Sequence, residues 1–71
     1  MAVRVVYQAR AGDGYDPAYV ELIVDSAADL EGVQVSVHGT DQDPAAGSVA
    51  YTPGADHIWH CKSDGTWVEF Q

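Results

Sequence analysis

One cysteine, three basic side chains and no long apolar run are the shortages that first limit what this 71-residue chain does. With Cys61 alone an intrachain disulfide is impossible, and a Cys/His metal cluster is poorly supported. Lys and Arg number three against eleven Asp and Glu, a formal charge of −8. That balance argues against a nucleic-acid backbone, which needs a cationic surface, and against anionic lipid. An acidic surface keeps the chain soluble and steers it toward cationic partner surfaces. No apolar stretch has the length of a signal peptide or a membrane span. The chain is therefore expected to stay in the compartment where it is made, unless an assembly carries it. A core this small supplies only about 3–5 kcal/mol. With disulfide and metal set aside, self-association is the remaining staple.

Both tryptophans and most of the large side chains lie in the C-terminal third. Three short apolar runs, Ser48–Tyr51, His57–Lys62 and Trp67–Phe70, are separated by Thr52-Pro53-Gly54 and Ser63-Asp64-Gly65. Proline presets one turn dihedral and glycine permits a positive φ, so the pattern predicts a three-stranded meander. Along it His57, Trp59 and Cys61 share one face, and Ile58, His60 and Lys62 the other. Trp67 and Glu69 oppose Val68 and Phe70, which sets Trp59 and Trp67 facing each other or on a diagonal.

Upstream, Val3–Ala9 alternates as a half-buried strand, and Ala11–Pro17 is a turn-rich connection. Ala18–Val24 is a second strand whose aliphatic face, Val20, Leu22 and Val24, should point inward. Asp25–Gly32 predicts one helical turn: Ser26 or Asp25 as cap, Asp29 at capping-box spacing, Leu30 as anchor and Gly32 as stop. Val33–His38 alternates strictly, and Gly39–Gly47 reads as a polar loop. The expected fold is mainly β: a single small antiparallel sheet or barrel-like domain of five to six strands with one short helical turn. Residues 1–71 form one domain.

Candidate chemistry is sparse. His57, His60 and Cys61 are close in sequence, but on a strand the two histidines point to opposite faces. Only His57 with Cys61, joined by His38 from a neighbouring strand, has ligand geometry. No glycine-rich elbow precedes Cys61 and no helix N-terminus follows it, so a small, partly buried thiol is the default. Asp41 with Asp43, or Asp13 with Asp16, lack the further ligands of a calcium loop and suit local turns. No catalytic, cofactor-binding or metal-ligating residue is assigned, and no enzyme activity is expected. The aromatic residues are the site candidates: Tyr7, Tyr51, Trp59, Trp67 and Phe70, either as core or as an interface buried on assembly.

The segments Asp29-Leu30, Ala46-Gly47-Ser48-Val49-Ala50-Tyr51, Asp56-His57-Ile58-Trp59 and Ser63-Asp64-Gly65-Thr66-Trp67-Val68-Glu69 resemble a recurring module of tailed-phage structural proteins. These are head-decoration, head-fibre and tail-associated β domains. The resemblance runs from Ser26 to Phe70, with Glu31 where phage members often carry proline. Residues 1–25 have no counterpart in it and are either additional strands or an arm reaching a neighbour. The resemblance implies a non-enzymatic virion protein, assembled in the host cytoplasm. Such a protein decorates or cements the capsid or joins head and tail components, as a homo-oligomer or bound to the major capsid protein. The alternative is a binding module whose exposed aromatics recognise a carbohydrate or a host surface.

Overall fold

Alternation with period two organises the molecule around its second strand. The computed structural model describes residues 3–10 and 12–70. Met1 and Ala2 before the first strand, Ala11 in the expected turn, and Gln71 lie outside the described residues. Among the described residues seven strands form in chain order: β1 Arg4–Gln8, β2 Val20–Ile23, β3 Val35–Val37, β4 Thr40–Gln42, β5 Val49–Tyr51, β6 Ile58–Cys61 and β7 Trp67–Glu69. Five of them make one sheet in the order β1-β2-β5-β6-β7, and β3 and β4 make a separate hairpin. On β2 and just beyond it, Val20, Leu22 and Val24 are each 0 % exposed, so the aliphatic face does point inward.

The fold is mainly β with one short 3₁₀ turn, Ala27–Leu30, as the sequence predicts. Two details differ from a simple antiparallel sheet. β2 pairs with β5 in parallel, Leu22 opposite Ala50, while the other pairs are antiparallel. The segment read as a polar loop also contains β4, a wholly exposed strand folded back on β3 through His38 and Gly39. Both turn residues have positive φ, 52° and 83°, the mirror-image turn that matches strand twist. Histidine tolerates this conformation better than most residues, but its propensity is too weak to announce a hairpin. The five-stranded sheet is open, with β1 and β7 at its edges.

Parallel neighbours need a crossover, and here the crossover is the second layer. Between Val24 and Ser48 the chain lays Leu30, Val35 and Val37 against Ala18, Val20, Leu22, Val24, Ala50 and Trp59 in one cluster. Burying each such aliphatic side chain stabilises the fold by about 1.5–3 kcal/mol. The helical turn ends as expected, with Leu30 buried and Gly32 at φ 65°. Its start differs: Ser26 makes no side-chain cap, and the Asp29 carboxylate instead accepts from the Asp25 N–H at 2.9 Å.

β1 is more exposed than its alternation predicts. It is an edge strand, and its register shifts between Val5 and Tyr7, so Val5 stands opposite Leu22 and Tyr7 opposite Glu21. The bulge turns Tyr7 to the face away from the core, and bulges also blunt an edge against strand addition. Beyond it Gln8 returns inward. Its amide donates to the Ser36 carbonyl at 2.8 Å and the Pro17 carbonyl at 3.1 Å, tying the sheet edge to β3.

Ser48 sits where β5 begins, 0 % exposed, and its Oγ accepts from the Val20 N–H at 3.1 Å. Its own carbonyl accepts from the Cys61 N–H at 2.8 Å. One residue thus joins three strands, using the side chain where the parallel ladder starts. Ser48→Ala strands a buried donor and should cost about 1–3 kcal/mol. The exposed Ser36→Ala should cost less than about 0.5 kcal/mol. Urea denaturation of the two variants measures the difference, and equal midpoints would refute the role given to Ser48.

Candidate interaction face

With one face of the five-stranded sheet covered by the crossover, the other face can be read from the register. Side chains of paired residues point the same way. Tyr7 is opposite Glu21, and Arg4 opposite Ile23. Glu21 and Ile23 stand beside Val49 and Tyr51, which pair with His60 and Ile58. His60 pairs with Val68, and the Phe70 N–H donates to the Ile58 carbonyl at 2.8 Å. The Phe70 ring meets His60 edge-on, centroids 5.3 Å apart. Tyr19, just before β2, packs edge-to-face on Tyr7 at 6.2 Å.

The resulting surface is unusual for the outer face of a sheet. An antiparallel sheet with one side on a core ordinarily turns polar residues outward. Here the outer rows carry Tyr7, Tyr19, Ile23, Val49, Tyr51, Ile58, Val68 and Phe70, with Arg4, Glu21, His60 and, just past β6, Lys62 as the ionisable exceptions apart from the tyrosines. Phe70 is 58 % exposed and Val68 37 %, while Ile23, Tyr51 and Ile58 are half-buried by their neighbours. This contiguous apolar surface on a small acidic chain makes the outer face the candidate contact area.

The five aromatic candidates divide between the two faces. Tyr7, Tyr51 and Phe70 stand on the outer face. Trp59 is 6 % exposed and belongs to the core cluster. Trp67 is opposite Cys61 and therefore diagonal to Trp59, half-buried against the same core. It walls an inner-side crevice of about 300 Å³ with Leu30, Gly32 and Thr66. The thickness of the sheet separates the two indoles from the other three rings. Tyr19, Ile23, Val49, Ile58 and Val68 complete the apolar part of the outer face and were not singled out by sequence. Their signal was the second apolar row of each strand, which alternation alone does not distinguish from core.

The polar groups are occupied locally. His57 Nδ1 lies 2.5 Å from Glu69 Oε2 on the inner side, where its ring stacks on Trp59, while His60 is on the outer face. The Cys61 thiol is buried and approaches the Pro44 and Lys62 carbonyls at 3.7 and 3.6 Å. Burial, then the charges of Asp64 and Asp43, push its pKa up. His38 lies in the β3–β4 turn. Among the described residues no three His, Cys, Asp or Glu side chains converge as a metal ion requires. Asp16 builds a local turn, its Oδ1 accepting from the Ala18 N–H at 2.8 Å, whereas Asp43 Oδ1 accepts from the Gln34 side-chain amide at 3.3 Å, nine residues away. Asp64 accepts from the Thr66 hydroxyl and N–H, which holds its carboxyl below the usual range.

Comparison with protein-family models, curated proteins and solved structures finds no match to this chain.

The buried Cys61 gives a direct measure of how tightly β6 is closed. In the native protein iodoacetamide should label it about 100-fold more slowly than in urea, because the thiol is covered and its thiolate suppressed. The raised pKa also has a sign. The folded state holds the thiol proton more tightly, so stability should fall as pH rises past the ordinary thiol range. Mass-spectrometric labelling rates and denaturation midpoints across mildly alkaline pH test both statements.

Proposed function

We propose that the chain is a non-catalytic protein-interaction module that docks through the outer face of its sheet. In the setting to which its sequence resemblance points, it is a phage virion component that decorates the capsid or joins its parts. The observation that carries this reading is the apolar outer face, with Val68 and Phe70 at its exposed end. A standard interface takes about 800 Å² from each partner. That is a modest share of the chain's 4484 Å² accessible surface, and one face of a five-stranded sheet is the natural place for it.

Charge selects the occupant. Each copy carries −8, so two copies stacked face to face would bring like charge together around the rim. A different protein with a flat apolar patch ringed by basic residues gains from both terms. A shell subunit is that occupant in the virion reading. The module bridges neighbouring subunits, covers surface they leave exposed and raises the free energy of their separation. The carbohydrate alternative finds less support, because Trp59 is in the core and Trp67 is half-buried against it.

The proposal predicts that a neighbouring reading frame encodes a major capsid protein, and co-expression with that protein tests it. The chain should co-sediment with assembled shells at fixed stoichiometry. A Val68→Ser, Phe70→Ser variant, with both positions exposed and the core untouched, should lose about tenfold or more in affinity. Wild-type binding that the double variant retains would move the contact off this face. Absence of co-sedimentation, or a homodimer formed through this face, would overturn the assignment to shell subunits.

A further inference from the structure

At the β1–β2 end of the outer face three tyrosines and one carboxylate close around a single cleft. Its walls are Tyr7, Tyr15, Tyr19 and Glu21, and its volume is about 240 Å³. Local structure places each of them. The bulge in β1 turns Tyr7 outward beside Glu21. Tyr19 follows Ala18 on the same side as Glu21, and its ring stands at 71° to that of Tyr7. Asp16 closes the preceding turn, its carboxylate accepting from the Ala18 N–H and its carbonyl from the Tyr19 N–H at 2.9 Å. Tyr15, beside Asp16 in that turn, lines the same cleft and is 67 % exposed. Among the described residues Glu21 forms no salt bridge.

Ring faces carry the negative side of the aromatic quadrupole, and perpendicular rings present a face and an edge to the same space. Add a carboxylate without a salt bridge among the described residues and a chain of charge −8, and the cleft favours an organic cation over a neutral group of the same size. We propose that Tyr7, Tyr15, Tyr19 and Glu21 form a cage for the ammonium or guanidinium group of a lysine or arginine side chain on the docked protein. The source of the cation rests on the outer face being the docking surface. The cage then supplies what the rest of that face lacks, a directional contact that fixes register on an otherwise greasy area. It also agrees in sign with the basic rim that the acidic chain selects.

The test needs no protein partner, so its failure is distinct from a failure of docking. The isolated chain is titrated with the N-acetyl methylamides of lysine, arginine and norleucine while the ring resonances of the tyrosines are followed by NMR. The lysine and arginine amides should shift Tyr7, Tyr15 and Tyr19 saturably, with dissociation constants on the order of millimolar. Norleucine, with the lysine stem and no charge, should bind about fivefold more weakly or worse. Glu21→Gln and Tyr15→Leu, both outside the core, should each reduce lysine binding by about fivefold. Equal binding of norleucine would make the cleft merely apolar and overturn the cage. Unshifted rings, or lysine binding indifferent to Glu21→Gln, would overturn it as well.

Discussion

The parallel contact between β2 and β5 is the constraint on which the rest of the molecule depends. Two adjacent strands running the same way force a long connection from the end of one to the start of the other. In this chain that connection, between Val24 and Ser48, carries Leu30, Val35 and Val37 across the sheet. The same segment that satisfies the topology therefore supplies the second layer of the core. Ser48 closes the arrangement by offering its hydroxyl to the Val20 N–H where the ladder begins.

A crossover on one face leaves the other face open. In a larger protein a second layer would cover Ile23, Tyr51, Ile58 and Val68; the described residues provide none. The apolar outer rows are the side of the sheet that the crossover does not reach. In the proposed docking a partner completes the missing layer, which would give that association an energetic basis in the fold itself. On the same proposal the acidic excess restricts which partner does so, and the proposed tyrosine cage beside Glu21 gives that restriction a specific place.

Much of this was visible in the residues taken in order. The alternation of Val20, Leu22 and Val24 named the inner face of β2 correctly, and Pro53-Gly54 and Asp64-Gly65 marked the turns of the meander. Leu30 anchors its helical turn with Gly32 as the stop, as their spacing implied. Other features were out of reach because they depend on partner choice. Nothing local says that β2 pairs with β5 in parallel, since the hydrogen bonds involved are made by backbone groups common to every residue. The β1 bulge moved Tyr7 to the outer side by inserting one unpaired position that no residue type announces. β4 is wholly exposed, so it carries no hydrophobic period to detect.

The division between what sequence and tertiary structure settled follows the physics of a strand. Period-two patterning and turn chemistry are local, and they determined by themselves that this chain folds as short strands joined by tight turns. Composition by itself fixed the formal charge of −8. Each strand nevertheless offers two rows of side chains, and for β6 and β7 both rows are apolar enough to be core. Only the position of the crossover decided that Trp59 lies inside while Ile58, Val68 and Phe70 face out. Burial is a property of the layer a residue meets across space, and that layer is laid down by a segment distant in sequence.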